Sequence, residues 1–254
     1  MTESPILYAV AEGVARITLN RPDKRNALNA ELVGGLAKSL ADAQSDPAVR
    51  VVLISGAGKD FCSGADLANL QKVTNNGVID NMSDARAMAD VFLAMRRHRC
   101  PVVAAVRGRA LAGGCGLATA CDLILASGSA QFGYPEVNIG FVPAMVMAIL
   151  RRNVSEKQAF EMIAMGDIIP ASQAYFAGLV NQVFSDEDFD ASVNEYVAKL
   201  AKKSADALYL SKNLLYHMDG MGFEAALESG VHMNAIARQT DDCKAGIAKF
   251  LKKA

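Results

Sequence analysis

Residues 101–140, PVVAAVRGRALAGGCGLATACDLILASGSAQFGYPEVNIG, constrain this chain more than any other stretch. An apolar β-branched run, Val102–Val106, feeds a turn holding Gly108, Gly113, Gly114 and Gly116. A small-residue segment, Leu117–Cys121, and a second apolar run, Leu123–Ala126, follow. The order reads as strand, glycine turn, helix N-terminus, strand. Glycine permits positive φ and, lacking Cβ, lets backbone N–H groups come close to a ligand. The first amides of a helix have no internal partner and sit at the positive end of its dipole. Such a turn can hold an oxygen that becomes negative, although a tight structural connection would have the same composition. It is not a phosphate loop, because GxxxxGK[ST] is absent and ALAGGCG lacks the spacing of GxGxxG.

A carboxylate and a second turn sharpen this reading. Glu136 lies among apolar and aromatic neighbours in FGYPEV, surroundings that raise a carboxyl pKa and suit it to proton transfer. KDFCSGADL, residues 59–67, follows the apolar strand Val51–Ser55 and again places small residues, Ser63, Gly64 and Ala65, where backbone must approach something. Two such turns can supply two N–H donors to one oxygen.

Bulk properties exclude other classes. The chain has 254 residues, 52% hydrophobic and 21% charged, as expected of a soluble globular protein with a sizeable core. A formal net charge of −1 gives no basic field for nucleic acid. The apolar run near 141–150 is too short to span a bilayer, and MTESPILYAVAEG reads as neither signal nor transit peptide. Five cysteines, Cys62, Cys100, Cys115, Cys121 and Cys243, form no CxxC pair and have no histidine at ligand spacing. Reduced, mostly buried thiols in a cytoplasmic protein are the simplest account, with Cys115 a packed residue rather than a nucleophile. His98, His217 and His232 are far in sequence from the turns, so no Ser/His/Asp or metal arrangement is legible.

Along the chain, Ile6–Val10 and Val14–Leu19 read as a hairpin across Glu12-Gly13. Asn29 reads as the N-cap of a helix over Ala30–Gln44, with Leu32, Leu36 and Leu40 on one face. The polar stretch KVTNNGVIDNMS reads as a loop or short broken helix. Ser83 then caps a helix over Asp84–His98. Past Glu136, helices are expected over 143–152, 155–165 and 171–177, a strand over Leu179–Phe184, and helices over 189–203, 205–218, 222–238 and 241–252. The β, α, β alternation predicts an α/β layer structure. The expected organisation is a core over 1–188 and a helical region over 189–254, whose generous apolar faces pack against neighbouring subunits as well as their own core.

Four segments together carry a resemblance: ITLNRPDKRNALN (17–29), FCSGADL (61–67), PVVAAVRGRALAGGCGLATACDLILAS (101–127) and FGYPEVNIGFVP (132–143). In order and spacing the sequence resembles the enoyl-CoA hydratase/isomerase, or crotonase, superfamily over nearly its whole length. The resemblance implies a spiral of ββα units with a C-terminal helical region that builds trimers, often paired as hexamers. It implies an acyl-CoA thioester substrate whose carbonyl sits between the amides of Ala65 and Gly113, with Glu136 as acid/base. Lys24, Asn26, Ala27 and Leu28 match the wall that contacts coenzyme A, and Ala65, Asp66 and Leu67 match the strip along its adenine and pantetheine. No metal and no cofactor beyond the coenzyme A of the substrate is implied.

The pattern breaks at Gly116, where typical hydratases carry the first of two glutamates. Hydration must activate water for C3 and deliver a proton to C2, work that two carboxylates usually share. Moving a double bond needs only one group that removes and returns a proton. Some bacterial enzymes resembling methylglutaconyl-CoA hydratase also show glycine here, keep the second glutamate and continue as Ile139–Ala144 do. The reading is therefore hydration of a 2-enoyl-CoA, with Δ3,Δ2 isomerisation through Glu136 alone as the alternative and a non-catalytic acyl-CoA-binding subunit as a further one. Tyr134, two residues before Glu136, is expected to point the same way from a strand. Arg107 and Arg109 offer themselves to a substrate carboxylate or to solvent, Asp66 is expected to brace its turn, and Asp122 to anchor the strand that follows it.

Overall fold

The computed structural model describes residues 4–66, 71 and 74–252. The chain opens with the hairpin of β1 (Ile6–Ala11) and β2 (Val14–Leu19), followed by helix α1 (Ala30–Ser45), strand β3 (Val51–Gly56) and helix α2 (Val78–Arg97). Then come β4 (Val102–Val106), β5 (Arg109–Leu111), α3 (Gly113–Thr119), β6 (Leu123–Ser127) and β7 (Gln131–Gly133). Helices α4 (Ala144–Asn153) and α5 (Glu156–Met165), strand β8 (Ile168–Pro170), helix α6 (Ala171–Phe176) and strand β9 (Gln182–Phe184) complete the α/β part. Four helices end the described chain: α7 (Phe189–Ala201), α8 (Ala205–His217), α9 (Phe223–Ala237) and α10 (Asp241–Leu251).

Two sheets run through the α/β part, a six-stranded one ordered β1-β2-β3-β4-β6-β9 and a three-stranded one ordered β5-β7-β8. Apart from the β1–β2 hairpin the larger sheet is parallel. Consecutive strands alternate between the sheets, β4 and β6 joining the larger, β5 and β7 the smaller. Single parallel bridges continue the smaller stack backwards, Cys62 to Ala110 and Leu28 to Ala65. The segments near 28, 62–65, 109–111 and 131–133 are thus successive coils of one spiral, which meets the expected α/β crotonase-like architecture.

Both faces of the larger sheet are covered, so its central strands need no polar alternation. All five residues of β4 are buried. Alternate residues Val52, Ile54, Val102, Ala104, Ile124 and Ala126 pack into the main core beneath α1 and α2. Their neighbours Val51, Leu53, Val103 and Leu125 face Phe189, Val193 and Val197 of α7. At α1 the Asn29 side chain accepts the Leu32 N–H at 2.9 Å, and Leu32, Leu36 and Leu40 are buried, as the spacing predicts.

Several expectations are corrected. Helix α2 begins at Val78 after Gly77, and Ser83 lies inside it. Val78, Ile79 and Met82 are exposed, so these first turns carry no core-facing period for a sequence reading to detect. Residues 72 and 73 of the presumed loop, and the site candidate Leu67, lie outside the described residues. The three-residue strands β5, β7 and β8 were not foreseen, being too short to show alternation. The expected strand over Leu179–Phe184 is formed only from Gln182.

Asp122 was expected to hold the strand that follows it, and instead ties the preceding strand to the helical region. Its Oδ2 accepts the Val102 N–H and the Lys212 ammonium, each at 2.7 Å, and its Oδ1 accepts the Tyr216 hydroxyl at 2.6 Å. Lys212 also donates to the Met95 and Cys100 carbonyls at 2.9 and 3.2 Å. A lysine with a side chain only 9% exposed requires such partners, and burial lowers its pKa despite them. The cysteines are free, four of them buried. Among the described residues no helix is long and apolar enough to cross a membrane.

Candidate active site

The coil containing residues 61–66 is held on both sides. On one side Leu28 donates its N–H to the Gly64 carbonyl at 2.7 Å and accepts the Asp66 N–H at 3.0 Å. On the other, Cys62 donates to the Arg109 carbonyl and accepts from Leu111, both at 3.0 Å. In a parallel pairing the bridged residue directs its own N–H away from the partner that its neighbours bond. The Ala65 N–H therefore points away from Leu28, towards the coil that leads into Gly113. Gly64 makes this approach possible. Its φ is +98°, and a Cβ there would sit 2.9 Å from Ala112 Cβ and 3.7 Å from the Gly113 nitrogen.

Gly113 is the first residue of α3 and has no acceptor four residues back. Ala112, just before it, has φ 49° and ψ −127°, a conformation costing an alanine about 1–3 kcal/mol. Two bonds hold Ala112 there, its N–H to Gly133 and its carbonyl to the Gly116 N–H, both 2.9 Å. Among the described residues neither the Ala65 nor the Gly113 N–H has an acceptor. Two unspent donors on adjoining coils, one at a helix start, can share one partly negative oxygen.

Glu136 stands on a 3-10 turn, Pro135–Ile139, that follows β7, with proline in its first turn. This corrects the strand placement, and the pairing with Tyr134 fails with it. Tyr134 is fully buried, its hydroxyl 2.7 Å from Thr119 Oγ1, while Glu136 is half-buried. Among the described residues the Oε2 of Glu136 is buried without a hydrogen-bond partner. Burial raises the carboxyl's pKa, and a bond from its own backbone N–H only partly opposes this. The Glu136 charge is close enough to help raise the Cys115 thiol, which burial pushes up to about 11. Cys115 is thus a packed thiol and not a thiolate nucleophile.

Opposite the question posed by Gly116 there is no empty space. A Cβ at this position would lie 2.5 Å from Val146 Cγ2 and 3.6 Å from Phe92 Cζ. Val146, on α4, is buried and fills the room a side chain at 116 would need. Gly116 shares a helix face with Gly113, one turn on. One turn along α3 from the Gly113 amide the neighbours are therefore apolar, and Glu136 acts electrostatically on Cys115 of the same helix.

The remaining candidates have settings of their own. Asn26 is fully buried, its side chain accepting the Arg21 N–H at 2.9 Å and donating to the Ala57 and Asp60 carbonyls at 2.9 and 2.7 Å. It shapes the Pro22–Leu28 turn from inside, leaving Lys24 exposed and Ala27 and Leu28 against the second coil. Leu28 also touches Gly113, where a Cβ would meet its Cδ1 at 3.1 Å. Asp66 braces its turn as expected, through an ion pair with Arg21 at 2.8 Å. Arg21 itself was missed. Its guanidinium bonds both the Ala27 carbonyl and Asp66, so it ties the two coils together. The Asn-Arg-Pro-Asp break in the sequence gave only a turn signal. Arg107 pairs with Asp190 at 3.2 Å and lies over the Phe189 ring, committed to α7 rather than to a substrate carboxylate. Arg109 is exposed and gives its backbone N–H to Asp60.

Comparison with known proteins agrees with this frame. The sequence profile of the enoyl-CoA hydratase/isomerase family matches residues 9–254. A Thermus thermophilus protein provisionally named an enoyl-CoA hydratase is 40% identical over 240 residues, 94% of this chain and 95% of that protein. The 2,3-dehydroadipyl-CoA hydratase of Escherichia coli is 32% identical over 98% of this chain and 96% of its own length. Among solved structures, an enoyl-CoA hydratase of Mycobacterium smegmatis superposes with a TM-score of 0.94 at 31% identity, covering 99% of this chain and 97% of that one. With sequence and fold both shared over nearly the whole length, the chain belongs to the enoyl-CoA hydratase/isomerase (crotonase) family.

Proposed function

We propose that this enzyme adds water to a 2-enoyl-CoA to give a 3-hydroxyacyl-CoA, with Glu136 as its single acid/base. The carrying observation is that, among the described residues, the buried Oε2 of a carboxyl whose pKa is raised has no partner and the Ala65 and Gly113 amides have no acceptor. In this reading the thioester carbonyl oxygen accepts the Ala65 and Gly113 N–H groups. The Glu136 carboxylate takes a proton from water as its oxygen bonds to C3. The π electrons move onto the carbonyl oxygen as an enolate, and each amide stabilises that charge by about 3 kcal/mol. The protonated Glu136 then returns the proton to C2, so one water has been added and the carboxylate is restored. Nothing in this sequence calls for a resident metal or cofactor, and coenzyme A arrives with the substrate. Lys24, Ala27, Leu28 and Asp66 would line its path, with Asn26 holding the Pro22–Leu28 turn in shape.

The names of relatives support hydration. Besides the dehydroadipyl-CoA enzyme, a crotonyl-CoA hydratase of Syntrophomonas wolfei is 31% identical over the whole chain. A second reading, Δ3,Δ2-enoyl-CoA isomerisation, draws on the Val146 methyl that fills the place beside Gly116. One carboxyl suffices to carry a proton between two carbons. Assays of crotonyl-CoA hydration and 3-hexenoyl-CoA isomerisation decide between them. For hydration, kcat/KM should fall as pH drops through the raised Glu136 pKa, because the base must be ionised. A protein that binds acyl-CoA but turns over neither substrate would leave only the binding-subunit reading.

The helical end supports an assembled enzyme. None of α8, α9 and α10 has a buried apolar side chain. Phe223 is 82% and Phe250 72% exposed, with Leu227, Val231, Ile236 and Ile247 also open. Faces this apolar are normally covered, and we assign them to a homotrimer or a dimer of trimers in a cytoplasmic protein. The core over 1–188 then carries the chemistry and 189–254 the assembly contacts. Sedimentation equilibrium checks this, and a monomer at micromolar concentration would refute it.

A further inference from the structure

We propose that Asp219 is a positioning residue that sets the apolar wall of the acyl site from outside it, an inference that rests on the acyl-CoA reading above. Asp219 lies on the 3-10 turn Met218–Gly220 that ends α8. Its carboxylate holds two arginines from different helices, Arg96 of α2 and, at 2.7 Å, Arg152 of α4. These are the helices that supply Phe92 and Val146, the two side chains lying over Gly116. Phe92 is one turn before Arg96 on the same face of α2. A single carboxylate thus fixes how far apart the two halves of the wall stand, one helical turn from the Gly113 amide.

The turn bearing Asp219 is itself fastened to the sheet. Arg96 lies 3.9 Å over the ring of Tyr216, whose hydroxyl donates to Asp122. Asp122 in turn accepts the first amide of β4 and the buried Lys212 of α8. A continuous run of contacts therefore leads from the larger sheet through α8 to Asp219, and from there to both wall helices. As a source of stability the cluster is weak, since the side chains of Arg96, Arg152 and Asp219 are 29%, 41% and 33% exposed and such pairs are screened by water. What it does supply is a fixed distance between α2 and α4.

The test compares wild type with Asp219→Asn and Asp219→Ala. It uses calorimetric affinities for octanoyl-CoA and for free coenzyme A, and kcat and KM for crotonyl-CoA and 2-decenoyl-CoA. Loosening the wall should raise the octanoyl-CoA Kd and the decenoyl-CoA KM about fivefold, within the range of coupling through packed networks. Coenzyme A affinity and the crotonyl-CoA kcat should hold. A loss of folded protein alone would lower kcat for both substrates at unchanged KM. That result, or acyl and free coenzyme affinities that move together or not at all, overturns the inference. If the Asp219 variants do not fold, Arg152→Gln removes one of the two pairs at a half-exposed position and is read by the same constants. Wild-type protein that binds no acyl-CoA would sink the functional reading and this inference together, whereas binding that is indifferent to Asp219 sinks only the latter.

Discussion

Glu136→Gln is expected to lower kcat for enoyl-CoA turnover by about 10²- to 10⁴-fold, the usual contribution of a positioned acid/base. KM should change little, because the amide keeps the shape of the carboxyl and the carbonyl oxygen is held elsewhere, by Ala65 and Gly113. Stability should move in the opposite direction. The folded-state pKa of Glu136 is raised by burial, so the protonated form is favoured by folding. Its contribution is complete below the unfolded pKa and is lost as pH rises through the folded one. Above that folded pKa the ionised wild-type side chain therefore disfavours the fold, with a buried oxygen that has no partner among the described residues. Glutamine carries no charge to desolvate, and the variant should melt no lower than wild type at pH 7 and gain less than wild type on acidification. A Glu136→Gln protein that retains full turnover would remove Glu136 from the chemistry. One that loses activity only because it unfolds, seen as a collapsed melting transition, would make the residue structural.

Gly116→Glu, which places a glutamate where typical hydratases carry one, is expected to damage this enzyme rather than equip it with a second acid. The first atom of any side chain there would lie 2.5 Å from Val146 Cγ2, inside van der Waals contact, with Phe92 behind it. Overpacking of this kind costs about 1–3 kcal/mol, and a carboxyl pressed among apolar groups adds a desolvation penalty. Gly116→Ala should show the steric part alone, partly offset by about 1 kcal/mol of better helix propensity. Combining Gly116→Glu with Val146→Ala removes the obstructing methyl groups. The double variant should recover most of the lost stability, giving a strongly non-additive cycle. Urea unfolding of the two single variants and the pair reads this directly. Additive costs, or a Gly116→Glu enzyme as stable as wild type, would show that Val146 does not control this position.

What could be read beforehand and what could not divide along physical lines. Asn29 and the Leu32, Leu36, Leu40 spacing announce α1, because a cap and a helical period are local properties of the chain. The Glu12-Gly13 turn is equally local, and both residues have positive φ, 51° and 77°. The glycine turns and Glu136 were identifiable because they depend on residue type: a missing Cβ, a carboxyl among apolar neighbours. By contrast, nothing near Gly116 says that a valine thirty positions later fills its side-chain space. The pairing exists only once α3 and α4 are packed. Tyr134 and Glu136 misled for a related reason. The strand ends at Gly133 and Pro135 opens a 3-10 turn, so neither residue lies on the strand to which the reading assigned both. Arg21 went unnoticed because its partners, Ala27 and Asp66, are brought to it by the coil stacking and not by spacing.

The bridges that hold the second coil, Leu28 to Ala65 and Cys62 to Ala110, are each a single residue pair. Neither belongs to a strand that could zip up from a hairpin, and each joins parts of the chain separated by tens of residues. Closing such long loops is entropically slow and is rewarded only when the surrounding layers are already in place. The donor at Ala65 thus has its direction only where those layers are assembled around it. Competence to bind a carbonyl oxygen becomes a property of the finished molecule, and no fragment comprising only the first coils would possess it.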